Sequence, residues 1–262
     1  MKIDRDVAVI VCAGPSLDAL PSRAWSDIAG AGAIVSVNGA CAADACMRHD
    51  VRFTLLAAMD VNMGLFERVP RLRSIWNETP AWRATSVNVL RRADVSSATE
   101  GGRDVRPPDA AEAAAESYIV EVDEEDGVAG WSDDPDEGYK GGSTGMIIGN
   151  WIANRWSGDT ASIRERRAIA AAREKSIPPR GFRKLAYLGL DMMPLDGRHA
   201  AGAGAHASGF SDSLDHHRRV CESWRTFCAQ AAARGIDVVN LTPATGLDAM
   251  RRVSVPEWSR VA

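Results

Sequence analysis

Apolar positions along this chain fall into two patterns: short unbroken runs, and longer stretches in which they recur every three or four residues. Val7 to Val11 is a run of the first kind, β-branched at every position except Ala8, and it ends at Cys12-Ala13-Gly14-Pro15-Ser16. A short, wholly apolar run bounded by a turn signal predicts a strand buried on both faces of a parallel sheet. Ala33 to Val37, ending at Asn38-Gly39, and Phe53 to Ala58, ending just before Asp60, are mostly apolar and read as a second and a third short strand. Lys184 to Leu190, ending at Asp191, and Ile236 to Leu241, closed by Thr242-Pro243, are further strands. Arg83 to Val89 supplies a further strand, and Ile119 to Val122 an edge strand.

The second pattern marks helices. Leu17 to Ile28 follows the first strand, with Ser16 placed to cap it. Ile148, Trp151, Ile152 and Arg155 recur at helical spacing after Gly141-Gly142-Ser143-Thr144-Gly145. Gly149 weakens that helix but permits close packing. Ser162 to Lys175 is a charged helical segment stopped by Pro178-Pro179. Val220, Trp224, Phe227, Cys228 and Ala231 line one face of another helix, which Gly235 terminates. Strands alternating with helices predict an α/β fold: a Rossmann-like, mostly parallel sheet with helices on both faces, in one domain over residues 1–262. From residue 93 to 139 the composition shifts to Ala, Gly, Pro, Asp and Glu, with five acids among the six residues Glu121 to Asp126. Residues 94–140 therefore read as an acidic, flexible insertion or lid. The spacing of these acids does not match a helix-loop-helix calcium site.

Composition narrows the function classes. Hydrophobic residues make up 45% of the chain, enough for a core that needs no disulfides. The net charge of −4 gives no general footprint for nucleic acid. The five cysteines, Cys12, Cys41, Cys46, Cys221 and Cys228, form no CxxC pair and sit among small or apolar residues, which predicts buried free thiols in a reducing compartment. They lack the spacing of a zinc site. The charged start, Met1 to Asp6, is not a signal peptide, and no apolar stretch approaches the roughly 20 residues of a membrane span. The expectation is a cytoplasmic protein.

The chemistry gathers at strand ends. The turn Gly14-Pro15-Ser16 follows the first strand, where backbone N–H groups and a serine hydroxyl suit an anion. It matches neither GxGxxG nor a Walker A loop. Asn38 can meet a base or ribose, and Ser143-Thr144-Gly145 joins two hydroxyls to a helix start. Asp191 and Asp60 end strands where open α/β sheets bind ligands. His199, His206, His216 and His217 are candidate general bases, with no zinc-binding pattern among them. Asn240 to Pro243 closes the series, and Trp76, Trp82 and Trp131 fall in expected loops where they can stack on a base or sugar. Each of these features also has a plain structural reading: a turn, a cap, a strand exit or a core aromatic.

In this order the motifs resemble a superfamily that contains the bacterial sialyltransferases of glycosyltransferase family 42. It also contains the DUF115 group, which includes flagellin-modifying glycosyltransferase-like proteins and archaeal-type 6-hydroxymethylpterin diphosphokinases. The resemblance spans residues 7–60 and 140–250. It implies a Rossmann-like fold and contacts to the nucleotide of CMP-sialic acid from Gly14, Pro15, Ser16, Asn38, Ser143, Thr144 and Gly145. It also implies a histidine base, at His216 or His217, and no essential metal. Ala13 stands where the sialyltransferases carry Asn, and the run Cys12 to Asp18 together with Asp60 is closer to the DUF115 side.

Three functions are consistent with these features. The first is a glycosyltransferase-like enzyme that moves a sugar from a nucleotide-activated donor to an acceptor hydroxyl, without a cofactor. Phosphate would be held at Ser16 and at Ser143-Thr144, and the acceptor would be activated by His216, His217 or Asp191. The second is a pyrophosphokinase that needs Mg²⁺ on carboxylates such as Asp60 and Asp191. The third is a non-catalytic nucleotide-binding or interaction module. The acceptor and the oligomeric state, including a homo-oligomer, stay open.

Overall fold

The computed structural model describes residues 6–59, 69–86, 117–122, 129–132, 137–139, 143–154, 181–191, 214–243 and 245–255. Among them are nine strands: β1 (Val7–Val11), β2 (Ala33–Val37), β3 (Leu55–Ala58), β4 (Trp82–Ser86), β5 (Ser117–Val122), β6 (Glu137–Tyr139), β7 (Lys184–Leu188), β8 (Asp237–Asn240) and β9 (Arg251–Arg252). The helices are α1 (Ser22–Ile28), α2 (Asp44–Arg48), α3 (Pro70–Glu78), α4 (Thr144–Asn154) and α5 (Leu214–Ala233), with 3₁₀ turns at Pro15–Ala19 and Asn38–Ala42.

The strands form one sheet in the order β6-β5-β4-β3-β2-β1-β7-β8-β9. All eight pairings are parallel. The α/β expectation is met, with every described strand parallel. Alternation along β1 explains the layering. Val7, Val9 and Val11 pack with α1, α2 and α3, whereas Ala8, Ile10 and Cys12 pack with α4 and α5. A right-handed crossover puts its helix on one face when the chain steps one way along the sheet, and on the other face when it steps back. The steps from β1 toward β4 therefore stack α1 to α3 on one side. The return to β7 and on to β8 stacks α4 and α5 on the other. The sequence reverses direction between β1 and β7, and that junction is the topological switch point.

The structure departs from several local expectations. Ser16 caps no helix: Gly14 precedes the 3₁₀ turn, no side chain caps it, and the chain breaks at Leu20-Pro21 before α1 starts. The segment 117–122 is not an edge strand, because β5 lies between β4 and β6. The described parts of residues 94–140 are built into the body of the fold. The Ala129 N–H donates to Ser223 Oγ at 2.9 Å, that of Trp131 to Gln230 Oε1 at 2.6 Å, and that of Ser132 to Asn150 Oδ1 at 3.0 Å. The rest of that stretch, and the helix expected over Ser162 to Lys175, lie outside the described residues. Trp76 sits on α3 and is buried, and its helix is closed by Arg83, whose guanidinium donates to the carbonyls of Trp76, Ala81 and Thr79. Trp131 is buried with its ring 5.3 Å from that of Phe227. Trp82 lies in β4, partly buried against the same core. Trp76 and Trp131 are thus core residues rather than stacking platforms. Among the described residues no helix is long and apolar enough to cross a membrane.

Candidate functional site

The switch point collects most of the motifs. In a parallel sheet every strand delivers its last residues to the same edge, so the turns after β1, β2 and β7 and the start of α4 meet there. Gly189, after β7, adopts a left-handed φ of +68° and brings the next residues back beside β1. The Cys12 N–H donates to Leu188 O at 2.7 Å and that of Gly14 to Gly189 O at 2.9 Å. These two bonds extend the β1–β7 ladder into the turn. Asp191 then lies directly against it. Its Oδ2 accepts the Ser16 N–H at 2.8 Å, and its Oδ1 accepts the Ser16 hydroxyl. A Cβ on Gly14 would overlap the Gly189 carbonyl and lie 2.6 Å from Asp191 Cγ. The turn was expected to offer free donors to a ligand. Those of Gly14 and Ser16 are instead spent on β7 and on a carboxylate from the chain itself.

On the other side of β1 lies a second group. Asn38 leaves β2 with φ at 52°, in the left-handed region. Its Oδ1 accepts the Met59 N–H at 3.0 Å and its Nδ2 donates to Thr144 Oγ1 at 3.4 Å, tying the ends of β2 and β3 to the start of α4. The hydroxyl oxygen of Ser143, one residue before α4, is buried and has no hydrogen-bond partner among the described residues. Gly145 links the two groups: a Cβ there would sit 3.4 Å from Cys12 Sγ and 3.5 Å from Ser143 Oγ. Its carbonyl accepts the Tyr187 hydroxyl at 3.0 Å. The Met146 N–H donates to Ser143 O at 2.8 Å, and the positive end of the α4 dipole lies on this side of the crevice.

Electrostatics set the two sides apart. Cys12 stands between them with its thiol pushed up to about 12, first by burial and then by the negative charge of Asp191. It is therefore a neutral wall, not a nucleophile, at neutral pH. Tyr187 is also pushed well above the ordinary tyrosine range, chiefly by burial, and serves as a hydrogen-bond donor. No group of three or more metal-ligating side chains occurs among the described residues.

The segment after β8 has a role that the sequence did not reveal. The Leu190 N–H donates to Thr242 Oγ1 at 3.0 Å, and the Thr242 N–H donates to Asn240 Oδ1 at 2.9 Å. The Thr245 hydroxyl lies 2.9 Å from the carbonyls of both Leu190 and Asp191, and the Gly246 N–H donates to Asp191 O at 2.7 Å. Asn240 and Thr242 do not line the crevice as expected; they are buried and clamp the Asp191 turn from behind. The available signal was Thr245 itself, whose hydroxyl also accepts the Leu247 N–H two residues on, at 3.1 Å, a common turn-forming contact.

Of the expected site residues, the structure brings together Gly14, Pro15, Ser16, Asn38, Ser143, Thr144, Gly145 and Asp191. Asp60, His199 and His206 lie outside the described residues. His216 and His217 fall in the first turn of α5, and their side chains lie outside as well. The β7-α5-β8 crossover starts that helix at the crevice edge of the sheet. Comparison with protein-family models, with curated proteins and with solved structures gives no match.

Proposed function

We propose that the chain is a glycosyltransferase-like enzyme that binds a nucleotide-activated sugar across the carboxyl ends of β1, β2 and β7 and passes the sugar to an acceptor hydroxyl. The observation that carries this reading is convergence. Asn38, Ser143-Thr144-Gly145 and Asp191 come from segments more than 40 residues apart and meet where the strand order reverses. Ligands of open α/β sheets bind at that place. The start of α4 suits phosphate, with two hydroxyls and the positive end of its helix dipole. The resemblance to the sialyltransferases and the DUF115 group supports Asn38, Ser143, Thr144 and Gly145 as nucleotide contacts. It also supports His216 or His217 as the base that takes the acceptor proton.

A second reading has a specific observation in its favour. Asp191 places a buried carboxylate at the same edge. Mg²⁺ is usually held by one or two carboxylates together with substrate phosphates, so a lone described carboxylate fits a pyrophosphokinase too. A thermal-shift panel with CMP, UDP, GDP, ADP and ATP, each with and without Mg²⁺, separates the two. Stabilisation by CMP or UDP without metal is the expected result. Stabilisation by ATP with Mg²⁺ alone moves the assignment to the pyrophosphokinase, and no response to any nucleotide overturns both. Thr144→Val should weaken the bound nucleotide about tenfold, the cost of one hydrogen bond to a charged group.

A further inference from the structure

The Gly14-Pro15-Ser16 turn has the chemistry of an anion site, and the fold has already filled it. We propose that this turn is a cradle for the chain's own Asp191 carboxylate, that Gly14 and Ser16 are positioning residues for it, and that Asp191 makes this half of the crevice select a hydroxyl of the ligand and reject its phosphate.

Three observations meet here. Both Ser16 donors go to the carboxylate, one to each oxygen. Gly14 is open on the side where the carboxylate packs, and a Cβ there would lie 2.6 Å from Asp191 Cγ. From behind, the Thr245 hydroxyl and the Gly246 N–H hold the Asp191 carbonyl, while Thr242 holds the preceding N–H. The carboxylate is thus fixed by segments 175 and 54 residues away in the chain. Its side chain is not a surface rotamer, since Asp191 is only 9% exposed. A fixed negative charge raises the cost of a phosphate beside it and attracts a hydrogen-bond donor. Phosphate is left to the start of α4, across Cys12. The selectivity half of the proposal rests on the nucleotide-binding reading; the cradle half does not.

The cradle can be tested with the full chain and no substrate. In Asp191→Ala the turn loses its occupant, and sodium formate supplies a free carboxylate of the right size. Relative to sodium chloride at equal ionic strength, formate should raise the Tm of Asp191→Ala by about 2–4 °C. It should not raise that of the wild type or of the Ser16→Ala/Asp191→Ala double variant. An equal rise in the wild type, or none in Asp191→Ala, overturns the cradle. Should Asp191→Ala not fold, Ser16→Ala, Asp191→Asn and their double variant are compared by urea unfolding. The double variant should lose well under the sum of the single losses; additive losses overturn the contact. For selectivity, Asp191→Asn is titrated with whichever nucleotide the thermal panel identifies. Affinity should fall about tenfold, whereas tighter binding would mean that phosphate faces Asp191 and would overturn the selectivity. Absence of any nucleotide binding defeats the functional reading and with it the selectivity, while the formate response still decides the cradle.

Discussion

Asn38 holds a backbone conformation that most side chains resist, with φ at 52°. Asparagine tolerates the left-handed region better than alanine does, and here its amide also joins Met59 to Thr144. Asn38→Ala loses both advantages and should cost about 1–3 kcal/mol of stability. Asn38→Gly keeps the backbone freedom and loses only the hydrogen bonds, so its urea midpoint should fall less. Equal losses would show that φ contributes nothing. The sequence marks Asn38 as a turn residue at a strand end, and it does occupy one. Its work as a bolt was not legible, because the two partners lie 21 and 106 residues away. Ser16 follows the same logic. A serine after Gly-Pro reads as a cap or a ligand donor, and only the return of β7 beside β1 turns its donors toward Asp191.

At the scale of elements, α4 is the piece that closes the crevice, and its glycines decide how near it comes to the sheet. Gly145 and Gly149 lie one turn apart over Tyr187, whose hydroxyl donates to the Gly145 carbonyl at 3.0 Å. A Cβ on Gly149 would overlap that hydroxyl and lie 3.4 Å from Leu185 Cδ1. Helix propensity alone favours Gly149→Ala by about 1 kcal/mol. Overpacking against a fully buried tyrosine opposes it and should win, for a net loss of about 1–2 kcal/mol. Tyr187→Phe removes the overlapping oxygen, so the double variant should be more stable than the sum of the two single changes implies, as a denaturation cycle would read. A net gain in stability from Gly149→Ala alone would contradict this packing. The close packing foreseen from Gly149 is thus against β7, a partner the helical pattern could not name. Conversely, β6 was obscured because its short run lies inside an acidic, Gly- and Pro-rich stretch that reads as a loop, and without it β5 was expected at the edge of the sheet.

For the molecule as a whole, burial of the thiols ties stability to pH. Cys12, Cys46 and Cys228 are pushed up to about 12 and Cys41 to about 11, burial being the first cause in each. In the unfolded chain thiols ionise near about 8.5. Between these limits the unfolded state binds fewer protons than the folded one, so stability must fall as pH rises. The contribution is complete below about pH 8.5 and is lost through the window up to about 11–12, with a slope of up to about 1.4 kcal/mol per pH unit for each thiol. Urea unfolding from pH 7 to 10 should show the decline, and Cys46→Ala should flatten it. A slope unaffected by that change would mean that Cys46 ionises alike in both states.

The sequence by itself determined the elements whose signal is local. β1 and β2 coincide with the runs read from the sequence, because a strand buried on both faces is almost wholly apolar; the one polar residue, Ser36 in β2, accepts the Cys41 N–H at 2.8 Å. α5 ends where Gly235 reaches a φ of +71°, which glycine adopts without strain. The positions of Gly14, Asn38, Ser143 and Asp191 at element ends were likewise readable, since turns carry their own residue preferences. Only the tertiary structure decided the strand order, the reversal between β1 and β7, the addition of β6 beyond β5, and the engagement of Ser16 by Asp191. These depend on contacts between residues as far as 175 positions apart, where no local pattern records which strand will lie beside which. A turn rich in donors looks the same in sequence whether a ligand or the protein's own carboxylate will fill it.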